Sequence, residues 1–318
     1  MEKIDIMKYA DAGVDVRAEE KAVKELLKVI KPSLDLRDKM RSESGKYSGY
    51  LKLGKHYLAL STDGVGTKTL VAEKLNKYDT IGIDLIAMVV NDLICDGFEP
   101  VALSDYIVVR EPDENFMKEI GKGLMKGAEE ANIAIISGET AVHPNMNQKF
   151  DLGATALGIS ENPISAKTEE GNIIIGLKSS GIHSNGISLA RKLFENDERL
   201  LREVLKPTRI YVREILNLIS NVHVKALAHI TGGGFLKLKR IASGVRIDLP
   251  EIPHIFREIM ERGVDFEEMC RTYNMGIGFV VVVEEKDLDT ALDLLKDGRV
   301  IGKITKEKIV INDHLISL

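Results

Sequence analysis

The chain has 318 residues, of which 44% are hydrophobic and 29% charged, a composition typical of a soluble globular protein of about two domains. Its formal net charge of −5 predicts no strongly basic surface, which argues against a nucleic-acid partner. The two cysteines are far apart and in no CxxC spacing, which excludes a disulfide scaffold and fits a reducing compartment. No apolar run is long enough to span a membrane, and the N-terminal residues lack the apolar core of a signal peptide. We therefore expect a cytoplasmic protein with no membrane partner.

The first predicted helix covers residues 17–30, where apolar residues recur at helical spacing until Pro32 ends the pattern. The following residues 35–54 are charged and contain several serines and glycines, so we predict a loop there. A surface loop is the simpler interpretation of this segment, and a substrate lid is the alternative.

An alternating segment, residues 56–62, predicts a half-buried strand that runs into the sequence DGVGTK at residues 63–68. Asp63 supplies a carboxylate suited to Mg²⁺, and the glycines allow a ligand to approach the main chain. Thr67 and Lys68 supply a hydroxyl and a positive charge for a polyphosphate. The pattern indicates a metal–nucleotide site, and the alternative is a glycine-rich turn with Lys68 in solvent. No Walker A motif is present.

Residues 79–98 predict a helix in which the polar residues Asn91 and Asp92 interrupt an apolar sequence. Because buried polar groups cost free energy unless they find partners, we interpret Asp92 as a functional carboxylate. The alternative, an exposed helix end, fits Asp96 at the terminus of the segment.

A strand at residues 101–109, a helix at 114–131 and a strand at 151–159 complete the predicted first half. A short strand at 133–136 is expected to break at SGET, which makes Glu139 a second acidic residue at a strand–glycine corner. This order predicts an α+β domain with a mostly antiparallel sheet. The polar segment 160–172 is the natural boundary, giving domains of residues 1–162 and 163–318.

In the second half, a predicted strand at 173–177 enters SSGIHSNG, residues 179–186, before a helix at 187–194. Hydroxyls, glycines and His183 at a helix N-terminus form an anion-binding arrangement, and helix capping is the simpler alternative. Three consecutive glycines at 232–234 also permit close ligand approach. Later predictions are a basic helix at 236–242, a strand at 279–283, a helix at 288–295, and a closing hairpin of 300–304 with 309–311.

Eight segments in order resemble the phosphoribosylformylglycinamidine cyclo-ligase family, also called aminoimidazole ribonucleotide synthetase. They are DAGVD (11–15), STDGVGTK (61–68), DTIGIDLIAMVVNDL (79–93), SGETA (137–141), SSGIHSNGISLARK (179–192), PTRIYV (207–212), AHITGGGF (228–235) and RTYNMGIG (271–278). Any one of these motifs is weak, but eight in register are highly specific.

The resemblance implies an α+β fold of two domains. In it, an N-terminal ferredoxin-like sheet domain binds ATP and dimerises into a shared barrel, and the C-terminal domain is a layered α/β sandwich. The implied enzyme is a homodimer that uses ATP to close formylglycinamidine ribonucleotide into aminoimidazole ribonucleotide, releasing ADP and phosphate. The γ-phosphate activates the formamide oxygen, and the amidine nitrogen then attacks that carbon.

Residue roles follow from the motifs together with this reaction. We predict Asp63, Asp92 and Glu139 as Mg²⁺ ligands, with the two aspartates and His183 in the catalytic set. His183 is assigned to acid–base work or to charge stabilisation at the formamide oxygen. The predicted cofactor-binding residues are Gly64, Gly66, Thr67, Lys68, Asn91, Ser184, Asn185, Gly232 and Gly233. His143 and His229 are expected to be structural or exposed.

The sequence departs from the family pattern around Ser137, at residues 142–145 and at residues 94–98, and its N-terminal loop is shorter. These departures bear on the contacts of Glu139 and on the lid. The alternatives are a thiamine-monophosphate kinase or selenophosphate synthetase of the same superfamily, or a non-catalytic nucleotide-binding dimer. No cysteine precedes Cys95 and no GDDAA-type corner occurs, which disfavours both sister enzymes.

Overall fold

The computed structural model describes residue 13 and residues 16–36, 42–44 and 47–316, so the DAGVD segment lies outside the described residues except for Gly13. The helices are α1 (Val16–Ile30), α2 (Lys68–Leu75), α3 (Ile81–Cys95), α4 (Glu114–Ala131), α5 (Ile187–Leu193), α6 (Glu198–Val204), α7 (Val212–Asn221), α8 (His254–Glu261), α9 (Phe266–Thr272) and α10 (Leu288–Leu294). Short 3-10 helices cover Lys31–Leu36, Gly234–Arg240 and Glu285–Asp287.

Two sheets organise the described residues. The first contains β1 (Ser42–Ser44), β2 (Gly49–Leu53), β3 (His56–Gly64), β4 (Glu99–Val109), β5 (Ala134–Val142) and β6 (Phe150–Ser160). The second contains β7 (Ile173–Lys178), β8 (Val224–His229), β9 (Gly244–Ile247), β10 (Ile277–Val283), β11 (Arg299–Thr305), β12 (Lys308–Ile311) and β13 (His314–Ile316). The combination of helices with two sheets confirms the predicted α+β class, while the boundary within residues 160–172 stays a prediction.

The first sheet has the order β1-β2-β3-β6-β4-β5, and only the β4–β5 pair is parallel among its described pairings. This confirms the predicted mostly antiparallel sheet. Helix α3 packs on β3 and β6 and is buried along almost its whole length, since its sequence is apolar on nearly every side. Helix α4 crosses α3 closely: a Cβ on Gly82 would lie 2.2 Å from the main-chain nitrogen of Leu124, so the crossing requires glycine.

The second sheet has the order β13-β12-β9-β11-β7-β10-β8. The predicted closing hairpin of β11 with β12 is wrong, because β9 lies between them and pairs with β12 in parallel. A strand offers two edges, and β7 and β9 occupy both edges of β11. The segment predicted as a basic helix at 236–242 forms a 3-10 helix with shifted bounds, Gly234–Arg240.

The prediction of a loop over residues 35–54 is wrong where β1 and β2 form, because β2 pairs antiparallel with β3. Residues 37–41 and 45–46 of this segment lie outside the described residues. Ser48 of the same segment is buried, and its N–H and hydroxyl both donate to Asp96 at 2.8 Å. Asp96 is therefore buried at 1% exposure, and the expectation of an exposed helix end is wrong for it.

The two halves of the chain touch along α3, which contacts β8 and α7 as well as its own sheet. The polar residues of α3 therefore lie where elements of both halves meet.

In the ranges that the structure describes, no helix combines the length and apolarity needed to cross a membrane.

Candidate active site between the two halves

The loop after β3 joins the first sheet to α2 at the interface with the second half. Asp63 is partly exposed, and its Oδ1 accepts the N–H of Gly64 at 2.7 Å. Gly66 has a φ of +64°, a conformation that favours glycine and that leaves its main chain open. The exposed Thr67 hydroxyl lies 3.0 Å from the Ser188 hydroxyl on α5. The loop therefore presents a carboxylate, main chain and hydroxyls beside the second half.

Asn91 and Asp92 of α3 both contact the same histidine on β8. The Oδ1 of Asp92 lies 3.1 Å from His229 Nδ1, and Asn91 Nδ2 lies 3.4 Å from His229 Nε2. Asn91 also donates to the carbonyl of Arg209 at 2.8 Å and accepts the N–H of Tyr211 at 3.0 Å. These polar residues are thus partnered across the junction, which explains how the helix tolerates them.

His183 is fully buried in the loop before α5 and has a φ of +59°. Its Nε2 accepts the N–H of Ser180 at 3.2 Å, while its Nδ1 has no protein partner among the described residues. Burial lowers the pKa of His183 well below its usual value, and the neighbouring His229 adds to this. The imidazole is therefore neutral at pH 7, and we assign the proton to Nδ1 because Nε2 is an acceptor.

The glycine-rich loop brings a lysine to the two aspartates. Gly233 has a φ of +89° and open space where a Cβ would lie, and Gly232 faces the side-chain oxygen of Asn185. Lys237 follows in the 3-10 helix; burial lowers its pKa, and the charges of Asp92 and Asp63 oppose that shift. Lys237 is therefore within electrostatic range of both carboxylates.

The two aspartates are close enough to influence each other. Burial raises the pKa of Asp63, and the negative charge of Asp92 raises it further. A cation between them would relieve this repulsion. Magnesium is commonly held by one or two protein carboxylates with phosphate oxygens completing its shell, so Asp63 and Asp92 fit such an ion.

Glu139 lies apart from this pair. The predicted strand break at SGET is wrong, because β5 continues through Val142 and Glu139 sits inside it with an exposed side chain. Across the sheet, Glu139 pairs with Tyr106, Tyr106 with Gly153, and Gly153 with Gly64. The backbones of Glu139 and Gly64 are therefore three strand spacings, roughly 14 Å, apart. Across the described parts of the chain, no three His, Cys, Asp or Glu side chains gather where they could hold a metal ion. Asp92 is thus within electrostatic range of Asp63, whereas Glu139 lies on a strand apart from them.

The remaining predicted cofactor residues differ in exposure. Lys68 is fully buried, and the three donors of its ammonium group all meet protein acceptors. Asn185 is also buried and donates to the carbonyl of Ile230 at 3.3 Å, while Ser184 is half-buried with its hydroxyl 3.3 Å from that of Thr208. Gly66, Thr67 and Gly232 face solvent. Their roles in binding a nucleotide stay predictions.

Three residues of this junction were not predicted as functional from the sequence. Asp84 has the same polar-in-apolar signature as Asp92 and is fully buried. The only sequence feature that indicated a functional role for Lys237 was its position shortly after the three consecutive glycines. His229, expected to be structural or exposed, is buried against Asp92, and no spacing in the sequence links the two residues.

Comparison with known proteins agrees with this architecture. Residues 45–160 match the family model "AIR synthase related protein, N-terminal domain", and residues 169–313 match "AIR synthase related protein, C-terminal domain". A structure of AaThiL complexed with AMPPCP and TMP is similar with a TM-score of 0.69 at 12% identity, covering 96% of this chain and 97% of that one. HypE in complex with ATP is similar with a TM-score of 0.63 at 19% identity, covering 82% and 84%. The fold and the interdomain site thus define an AIR synthase related protein.

Closer relatives specify the family. A phosphoribosylformylglycinamidine cyclo-ligase of Pyrococcus furiosus is 50% identical over 306 residues, which are 91% of this chain and 92% of that protein. One of Methanobrevibacter smithii is 44% identical over 327 residues, covering 95% and 96%. The chain belongs to the phosphoribosylformylglycinamidine cyclo-ligase family, which confirms the resemblance found in the sequence.

Proposed function

We propose that the chain is an ATP-dependent cyclo-ligase of purine biosynthesis that converts formylglycinamidine ribonucleotide to aminoimidazole ribonucleotide, ADP and phosphate. The observation that carries the proposal is the junction of the two halves, where Asp92 Oδ1 lies 3.1 Å from His229 Nδ1 and the loop after Asp63 contacts α5 through the Thr67 and Ser188 hydroxyls. The relatives that share this name match more than nine-tenths of the chain. Binding of ATP is further supported by similar structures that hold ATP or an ATP analogue.

The reaction needs an activated oxygen, because an amide oxygen is a poor leaving group. The formamide oxygen attacks the γ-phosphorus, and the bond to the β–γ bridging oxygen breaks to release ADP. The amidine nitrogen then attacks the activated carbon, and the carbon–oxygen bond to phosphate breaks as the imidazole closes. The attacking nitrogen loses a proton to solvent, so every bond formed is matched by one broken, and the protein supplies position and charge.

The chain's own residues fit separate parts of this chemistry. A magnesium ion held by Asp63 and Asp92 would neutralise the charge of the triphosphate. Lys237, which is within electrostatic range of the same carboxylates, would bind a phosphate oxygen. The neutral His183 carries its proton on Nδ1, which has no hydrogen-bond partner within the part of the chain that the structure describes, and it would donate that hydrogen bond to charge developing on the formamide oxygen.

We also infer a homodimer that pairs the open faces of two first sheets into the shared barrel. Leu60 and Tyr106 lie on the face opposite α3, where they are 56% and 46% exposed. The edge strand β5 is exposed along almost its whole length, including Ile136 at 71%. An apolar surface of this kind is typical of an interface.

A cytoplasmic location is supported by the free thiols of Cys95 and Cys270, as expected in a reducing compartment.

A coupled ADP-release assay with purified protein, Mg·ATP and formylglycinamidine ribonucleotide tests the function. We expect ADP formation that depends on the ribonucleotide and matches aminoimidazole ribonucleotide mole for mole by mass spectrometry. Removing divalent cations with a chelator is expected to stop turnover, and added Mg²⁺ to restore it. ADP formation with thiamine monophosphate or selenide, but not with the ribonucleotide, would instead assign the chain to a sister activity.

A further inference from the structure

Lys68 is a fully buried lysine at the point where the two halves meet. Its Nζ donates to Asp84 Oδ1 at 2.8 Å, to the Lys206 carbonyl at 2.6 Å and to the His183 carbonyl at 3.2 Å. An ammonium group has three donors, so these three bonds satisfy it completely. The side chain thus ties α2 of the first half to two loops of the second.

Asp84 anchors the other side of this contact. Its Oδ1 also accepts the N–H of Thr208 at 2.8 Å and the Thr208 hydroxyl at 2.6 Å. The carboxylate is fully buried on α3, directly facing the lysine. The pair therefore holds the loop at Thr208 and the loop at His183 against the same two helices. Withdrawing Lys68 toward a phosphate would leave a buried carboxylate without its counter-charge, which is costly.

The hydrogen bond from Lys68 reaches a residue whose backbone conformation is unfavourable. The positive φ of His183 is unfavourable for a residue with a side chain, and such conformations persist where the surroundings enforce them. Lys68 binds the carbonyl of this same residue, while the Ser180 N–H binds its ring. The two contacts together orient the ring, because one holds the backbone of His183 and the other holds its Nε2.

We propose that Lys68 and Asp84 form an interdomain clamp that positions His183, so that Lys68 is a positioning residue and not a phosphate ligand. The inference rests on the proposed function, in which the His183 imidazole contacts the reacting formamide. Lys68 follows the glycine turn of the DGVGTK motif, and its side chain enters the junction from there. The glycines and Thr67 remain available to a ligand, while the lysine does not.

Lys68→Met tests the clamp, with Lys74→Met as its control, since Lys74 lies on the same helix but is exposed. We expect kcat to fall about 100-fold, the loss typical of a displaced catalytic group, while KM for ATP changes less than about twofold. A rise of KM for ATP of about tenfold or more with kcat retained would overturn the proposal in favour of phosphate binding. Unchanged kcat with lowered thermal stability would leave the pair a purely structural contact and would also overturn it.

A spectroscopic measurement separates the clamp from the reaction. The imidazole of His183, assigned in ¹⁵N NMR spectra by comparison with His183→Asn, reports tautomer and pKa directly. Three neighbours, Lys68, His229 and Arg209, lower the His183 pKa besides burial, so losing the lysine charge raises that pKa. In Lys68→Met and in the milder Asp84→Asn we expect altered His183 signals; identical signals would refute the clamp. If the wild type makes no aminoimidazole product, the proposed function fails, while these signals still decide the clamp.

Discussion

The Nδ1 atom of His229, on β8 of the second sheet, lies 3.1 Å from Asp92 Oδ1 on α3 of the first half. The histidine is completely buried, whereas the Asp92 side chain keeps 16% of its surface exposed. One side of the carboxylate is thus held across the junction while the other remains open. This arrangement fixes the direction of the carboxylate with respect to both halves of the chain.

Asp92→Asn is expected to reduce turnover by about 100-fold or more while leaving the oligomeric state unchanged. The amide keeps the shape of the side chain but loses the charge proposed to hold a cation. ADP release and size-exclusion chromatography with light scattering measure the two effects. Asp289→Asn, an exposed aspartate far along the chain, is the control. Near-wild-type turnover in Asp92→Asn would remove Asp92 from the proposed metal site.

Asn91→Ala is expected to lower the free energy of unfolding by about 2 kcal/mol or more. The substitution leaves the buried Tyr211 N–H and the Arg209 carbonyl without their partner across the junction. Urea unfolding monitored by circular dichroism gives this quantity, with the exposed Asn115→Ala on α4 as the control. If the two variants lose the same small amount, the hydrogen bonds of Asn91 contribute nothing to holding the halves together.

Local sequence patterns predicted much of the first half because neighbours in sequence decide it. The 114–131 helix was predicted with its observed bounds, and the strand at β3 and the buried α3 follow from their own periodicity. The strand at residues 49–53 was not predicted, because the serines and glycines around it are typical of a loop. The missed β9 explains the wrong hairpin, since strand pairing in the second sheet depends on a segment far away in sequence.

The site was predictable as a set of residue types but not as contacts. The polar interruptions of α3 and the glycine-rich motifs mark residues that both halves contribute. Which partner each residue contacts depends on how the two sheets pack together, and the hydrophobic periodicity of the sequence does not predict that packing. Lys68 has a motif position typical of a phosphate ligand, yet the packing of α2 against the second half turns it inward. The same dependence hides the contact of His229 with Asp92.

The buried His183 predicts an acid-sensitive stability. Below its usual pKa of 6.5 the imidazole is protonated in the unfolded chain, while burial, aided by nearby positive charge, holds the pKa of the folded state well below that value. The unfolded state therefore binds the extra proton, and stability falls as the pH drops below about 6.5, by at most about 1.4 kcal/mol per pH unit. Urea unfolding between about pH 7 and pH 5 measures this slope. His183→Asn should flatten it, and the exposed control His143→Asn should not; equal slopes in all three proteins would contradict the assignment.

Leu60→Glu tests the proposed barrel, because this leucine projects from the open face of the first sheet with 56% of its surface exposed. Wild-type protein is expected to elute with the mass of a dimer, whereas two glutamates facing each other across the interface repel and bury charge, so the variant should elute as a monomer. Light scattering coupled to chromatography at several concentrations measures both masses. Leu315→Glu, a leucine of the second sheet that is 48% exposed, is the matched control and should remain dimeric. A Leu60→Glu dimer as stable to dilution as the wild type would place the interface on another surface, since a charge buried without a partner cannot be neutral to association.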